Sequence, residues 1–234
     1  NRGRTWATAS ARTPRRTRRL RVASSERRTG LLRIGFGDGL PHEDGEDVAY
    51  PGTMTLHVDA TDVARAVFRV RQTIPVRPGA LTLRYPEWLP GKHAPRGPIG
   101  DLAGLTITSG NRTIGWRRDP RDVYAFNLTI PAGVRSMDVA FDYLSPTREA
   151  EGRIVMTPAM LNLQWDAMIL YPGGWMTRNI PVRPSVTLPQ GWTGYAALDG
   201  ARTSGNRIDY GVTDVETLVD SPMFAGAHAR SWDL

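Results

Sequence analysis

The sequence contains no cysteine, which excludes a disulfide framework and any cysteine-ligated zinc or redox site. No run approaches the ~18 to 20 apolar residues that a membrane-spanning helix requires. Histidine is scarce: His42, His57, His93 and His228 are the whole set. No two stand three or four apart, so no helix here can present paired imidazoles to a metal. No serine lies in a Gly-x-Ser-x-Gly elbow, and no glycine-rich phosphate loop precedes a helical pattern. His42-Glu43 comes nearest to a zinc-peptidase helix. Glu46 stands where the second histidine would be needed, and Asp44-Gly45 breaks the helix, so the segment reads as a solvated loop.

What is present is ordinary globular composition: 234 residues, 40% hydrophobic and 23% charged. The net charge of +7 is unevenly held. Residues 1–33 carry eleven arginines against Glu26, a balance of +10, so the remaining 201 residues carry −3. A basic arm suits nucleic acid or anionic lipid. Against this, Trp6 is its one aromatic, which gives base stacking little support, and it lacks the apolar stretch of a signal peptide. Residues 34–50 are glycine-rich and acidic. The composition predicts a disordered Arg-rich tail and linker over residues 1–47, either an artefactual leader or a functional basic arm, with nucleic acid not expected as a partner.

From residue 53 the period becomes two. Met54, Leu56 and Val58 alternate with polar neighbours, as do Phe68, Val70 and Ile74, with Gln72 interrupting. Leu81, Leu83 and Tyr85 follow, then Leu105 and Ile107, then Tyr124 to Ile130 and Met137 to Tyr143. Such alternation marks strands with one buried face. Pro-Gly pairs punctuate them at the spacing of a sandwich. Further strands are expected at 160–171, 183–188, 207–212 and 226–233. The one helical candidate is Thr213 to Val219, with Thr213 as N-cap and Glu216 at the capping-box position. The fold class predicted is all-β: one antiparallel sandwich or saddle-like domain over residues 48–234, with a single short helix near its C-terminus.

Residues 86–105, PEWLPGKHAPRGPIGDLAGL, forbid helix and central strand yet hold Trp88, Leu89, Ile99, Leu102 and Leu105. Two readings stand: a crossover strap anchored by its apolar side chains, or a recognition loop built from Trp88, Lys92, His93 and Arg96. Asp119, Asp122, Asp138, Asp142 and Asp166 are candidates for a carboxylate pair, but Asp138 and Asp142 are expected to face water. Trp88, Trp116, Trp165, Trp175 and Trp192 suggest a sugar platform if their rings are exposed and coplanar. A bare apolar face near residues 220–234 would point instead to a partner domain. In MLNLQWDAMILYPGGW, Leu161, Leu163 and Trp165 alternate with Asn162, Gln164 and Asp166. This predicts three polar side chains on one strand face.

The order of several motifs carries a resemblance. Pro86-x-Trp88-x-Pro90-Gly91 is followed by Asp101-Leu102-Ala103-Gly104-Leu105, then Gly115-Trp116-Arg117-Arg118-Asp119-Pro120 and Val123-Tyr124-Ala125-Phe126, and finally Leu218-Val219-Asp220-Ser221-Pro222 with Gly226. Over roughly residues 50–234 this resembles the N-terminal β domain of the glycyl aminopeptidases, metallopeptidase family sixty-one. Those enzymes have a thermolysin-like catalytic domain and usually a PDZ domain. The resemblance implies zinc held by an HExxH helix and a downstream glutamate, with the motif glutamate as general base. That set is not in this chain, so the chain alone is expected to be inactive and to bind no cofactor itself. The implied partners are the catalytic domain and a peptide substrate. By the same resemblance, Gln164 would reach the substrate's first residue with Trp165 packed beneath it. Asp220, Ser221 and Pro222 would dock the catalytic domain, and the enzyme would be exported. The alternative is a stand-alone β-sandwich module binding carbohydrate or protein.

Overall fold

Alternation over 54–62 and 67–75 becomes two nine-residue strands, β1 (Met54–Asp62) and β2 (Val67–Pro75). The structure is a computed structural model that describes residues 45–89 and 94–231, all within the unit Gly37–Leu234. The arginine-rich tail and most of the expected linker, with Lys92 and His93, lie outside the described residues. In chain order there follow β3 (Gly79–Arg84), β4 (Leu102–Ser109), β5 (Arg112–Thr113), β6 (Trp116–Arg118), β7 (Ala125–Ile130), β8 (Ser136–Leu144) and β9 (Met160–Leu163). After them come β10 (Tyr171–Pro172), β11 (Pro181–Thr187), β12 (Thr193–Ala196), β13 (Arg202–Ser204), β14 (Arg207–Asp209), β15 (Thr213–Asp214), α1 (Val215–Val219) and β16 (Met223–Gly226).

Nine strands form one sheet in the order β13-β14-β11-β1-β2-β8-β4-β5, with β15 also paired to β11. Two smaller sheets run β10-β3-β7-β6 and β12-β16-β9. These pairs are antiparallel except β1 and β11, which run parallel with Leu56 beside Pro184. One core joins all three sheets: Phe68 and Val139 from the largest, Leu83 and Phe126 from the second, Leu161 and Met223 from the third. Burial follows the two-residue period on β1, β2 and β8. The domain is all-β with one short helix, as the pattern predicts.

Gln72 is the polar exception on an apolar face, and it is buried. Its Nε2 donates to the Leu170 carbonyl at 2.8 Å, and its Oε1 accepts from the Leu170 N–H at 2.8 Å. The side-chain amide thus does for Leu170 what a neighbouring strand would do, satisfying both backbone groups of a residue with no solvent exposure. Ser145 acts similarly: its buried hydroxyl accepts from the N–H groups of Val155 and Met156.

Several strands differ from their expected limits. The expected strand over 160–171 ends at Leu163, and a 3-10 turn, Trp165–Ala167, replaces its continuation. From Trp165 to Tyr171 the side chains are buried on every side, so no two-faced strand can form there. The strand expected at 207–212 stops at Asp209. Tyr210 N–H reaches the Pro184 carbonyl at 3.1 Å, and Gly211 N–H then turns to the Asp199 carbonyl. Pro184 has no N–H to return, and the ladder beside β11 is split there into β14 and β15. The last strand spans 223–226 rather than 226–233, because its partners β12 and β9 both end at the level of Gly226. The N-cap of α1 is Asp214, not Thr213. Its carboxylate accepts from Thr217 N–H and Thr217 Oγ1, both at 2.8 Å, so Glu216 plays no part in a capping box.

Replacing Gln72 by Leu strands two buried backbone groups at Leu170. Equilibrium urea unfolding should show a loss of roughly 2–5 kcal/mol, against under ~0.5 kcal/mol for the exposed Thr73→Ala. A loss of the same size as that control would show that the Leu170 backbone finds other partners.

Candidate functional site

The 3-10 turn after β9 breaks the expected row of Asn162, Gln164 and Asp166. Asn162 and Gln164 are half-buried, whereas Asp166 is buried. Gln164 Nε2 donates to Asn162 Oδ1, an orientation that leaves Gln164 Oε1 to accept from something else. Trp165 is fully buried and meets the Tyr210 ring edge to face, with centroids 6.3 Å apart. Its Nε1–H has no acceptor, a cost of about 1–3 kcal/mol that the ring's packing must exceed. Behind the turn, Tyr85 Oη donates to the Ala167 carbonyl at 3.2 Å, and burial pushes this phenol's pKa up. Tyr85 from the end of β3 and Gln72 from β2 therefore hold the backbone at two points three residues apart.

The proline-rich segment is a strap pinned at its middle. Arg96 and Gly97 N–H both donate to the Glu87 carbonyl, at 2.9 and 3.0 Å, and Tyr124 Oη donates to the Gly97 carbonyl at 3.3 Å. Gly97 tolerates no side chain there: a Cβ would fall 1.8 Å from the Pro86 carbonyl oxygen. Ile99 and Leu102 pack against the core, which is the anchoring that the strap reading requires. Trp88 and Arg96 face outward. At the strap's far end Tyr143 Oη donates to Asp101 Oδ2 at 3.4 Å, and burial raises this carboxyl's pKa against that bond.

Asp220 is exposed and closes the C-terminus of α1, while Ser221 is buried with its hydroxyl on the Thr217 carbonyl at 2.8 Å, and Pro222 is half-buried. Three of the candidate carboxylates are tied to other partners. Asp119 accepts from the N–H groups of Arg121 and Asp122, which hold its pKa down. Asp122 pairs with Arg84 at 2.8 Å. Asp138 is exposed and accepts from Thr73. Of the tryptophans proposed as a platform, Trp88 alone is exposed. Among the described residues no three His, Asp or Glu side chains converge to hold a metal ion.

One cluster escaped the sequence reading. On the outer face of the large sheet, His57 Nδ1 lies 2.9 Å from Ser185 Oγ and 3.2 Å from Arg207 Nη1. A guanidinium only donates, so Nδ1 is an acceptor and the ring proton sits on Nε2, 3.3 Å from Thr187 Oγ1. Asp209 pairs with Arg207 at 2.7 Å rather than with the imidazole. Ser185 is buried, and its single hydroxyl proton can go to His57 Nδ1 at 2.9 Å or to the Leu56 carbonyl at 3.2 Å. Serine, histidine and aspartate are thus neighbours without being a nucleophilic triad. Burial lowers the His57 pKa, and Arg207 and Arg71 lower it further against Asp59 and Asp209.

Residues 55–227 match the family model of the peptidase M61 N-terminal domain. Among solved structures, the chain resembles an aminopeptidase N family protein from Idiomarina loihiensis with a TM-score of 0.61 at 16% identity, covering 74% of this chain and 29% of that one. At that identity the likeness is one of fold. An M1 zinc metallopeptidase from Deinococcus radiodurans gives 0.41 at 11% identity over 81% and 46% of the two chains. Leukotriene A4 hydrolase from Saccharomyces cerevisiae gives 0.42 at 9% over 77% and 28%. No curated protein matches the chain. The chain spans less than half the length of each of these three structures.

The His57 network has a signature in pH. A folded-state pKa below the ordinary 6.5 means that the unfolded chain binds the proton more readily. The contribution is therefore complete above about pH 7 and is lost as pH falls through ~6.5 toward the depressed value. Thermal unfolding at pH 7.5 and 5.5 should show a larger fall in Tm for the wild type than for His57→Gln. Equal falls would mean that His57 titrates alike in both states.

Proposed function

The chain belongs to the peptidase M61 N-terminal domain family, and on that premise we propose that it is the non-catalytic β portion of a zinc aminopeptidase of the glycyl aminopeptidase kind. It walls one side of the active cleft and helps restrict cleavage to peptides with a free amino end. The match over residues 55–227 carries the assignment to a peptidase. The zinc site and its general base belong to the catalytic portion, which Asp220, Ser221 and Pro222 help to dock. The exported location rests on the sequence resemblance alone.

Gln164 supports the finer reading. A peptide's terminal ammonium is a donor without lone pairs, so its partner must be an acceptor. Gln164 Oε1 is such an acceptor, oriented by the bond from its own Nε2 to Asn162 and mounted on a turn whose following backbone Tyr85 and Gln72 fix. Trp165 supports the same turn from below by filling the core. This is the arrangement that a substrate-contacting residue needs: a half-exposed head on a rigid base.

The experiment joins this chain to the peptidase region, with an HExxH segment, that this reading expects to follow it in its gene, and measures kcat/KM on short peptides. Gln164→Ala should lower it about tenfold, or ~1.4 kcal/mol of transition-state stabilisation. Gln164→Glu, which keeps an acceptor, should recover most of that loss. The two variants should converge on peptides with an acetylated amino end. A loss under about threefold for Gln164→Ala, or no greater than for the exposed Thr129→Ala, removes Gln164 from the reading.

A further inference from the structure

Exposed apolar side chains scattered singly over a surface require no explanation. Three in this chain are not scattered. In the sheet β12-β16-β9, Tyr195 stands opposite Phe224, and Gly226 stands opposite Met160. Side chains alternate across a strand. Tyr195, Phe224 and Met160 therefore share the face opposite Leu161 and Met223, which are buried in the core. They are 43%, 53% and 58% exposed. Phe224 sits at the centre, on the middle strand. An antiparallel sheet with one face on the core ordinarily turns polar side chains to water on the other. A phenylalanine, a tyrosine and a methionine together in that place mark a surface that something covers.

The geometry points to this face as the seat of the peptidase's catalytic part, with Phe224 as its anchor, an inference that rests on the functional reading above. Two observations choose that occupant. First, the match to the family's N-terminal domain ends at residue 227, one residue past β16. Ala227 N–H bonds to the Ala159 carbonyl at 3.0 Å, so the path into whatever follows the domain begins beside Met160, at the end of the strand that bears Phe224. Second, the face is continuous with Gln164: Asn162 stands opposite Phe224 in the register and holds the Gln164 side chain. A body seated on Phe224 would thus border the strand end that presents Gln164. Asp220, Ser221 and Pro222 lead from α1 into β16, and the apolar contact lies on β16 and its two neighbours. Buried aromatic anchors of this kind dominate the stability of an interface.

The absence of cysteine lets one introduced thiol report on one position. F224C, Y195C and, as a control on the turn before β7, V123C would each be reacted with dithionitrobenzoate and read by mass at the labelled peptide. This would be done in the 234-residue chain and in the chain joined to its peptidase region. In the 234-residue chain all three should react within about threefold of one another, and in the joined protein F224C and Y195C should slow at least ~10-fold while V123C does not. Equal reactivity of F224C in both, in a joined protein that cleaves peptides, overturns the docking assignment and leaves the functional reading standing. Protection of F224C already in the 234-residue chain, rising with protein concentration, overturns it in favour of a second copy. A joined protein without peptidase activity overturns the functional reading and the docking assignment with it.

Discussion

The interaction on which the site depends is the pair of hydrogen bonds between the Gln72 amide and the Leu170 backbone, 98 residues away in sequence. The run from Trp165 to Tyr171 is buried throughout. A buried peptide group without a partner loses more than a typical hydrogen bond contributes. A segment enclosed in that way must find partners for its backbone or leave the core. Here a side chain stands in for the missing strand, and Tyr85 supplies a second point of support at Ala167. With the backbone fixed at 167 and 170, Trp165 enters the core and Gln164 is left at its rim. Through this glutamine the large sheet is hydrogen-bonded to the segment behind the candidate site.

The regular part of the fold was legible because it obeys one period. Met54 to Val58, Phe68 to Ile74 and Met137 to Tyr143 are buried where the alternation puts them. Gln72 was visible as a break in that pattern, but its purpose was not, because the pattern of one strand says nothing about a backbone across the core. The turn at Trp165–Ala167 was missed for a related reason. The alternation of apolar and polar residues runs on from Leu161 to Asp166, so nothing in it marks the end of the strand at Leu163. The cap of α1 went to Asp214 because a carboxylate can take both the amide and the hydroxyl of Thr217; from the residue types alone, Thr213 was as good a choice. The His57 cluster had no sequence signal, since His57, Ser185 and Arg207 come from three distant strands.

The proline-rich strap and the small sheet show two ways in which irregular or exposed apolar residues are used. In the strap, Ile99 and Leu102 face inward, and the prolines and Gly97 shape a path so close to Pro86 that a side chain is impossible. That is stiffening by packing within the domain. In the small sheet the apolar residues face outward from regular strands, where packing within this domain does not call for them. The first pattern is complete in itself and the second is not. This contrast is why the strap is read as scaffold and the sheet face as a contact.

The parallel pairing of β1 with β11 has a consequence for synthesis. Leu56 and Pro184 lie side by side, yet well over a hundred residues separate them in the chain. At the usual ~5–20 residues per second of translation, roughly 6–25 s pass between the emergence of the two strands from the ribosome. During that interval β1 can pair with β2 on one side, while its other edge offers unsatisfied N–H and C=O groups to any passing strand. The nascent domain thus carries an open, adhesive border at the centre of its largest sheet until most of the domain has been made. Chaperone demand and inclusion-body formation should be governed by that waiting time more than by the final stability of the domain.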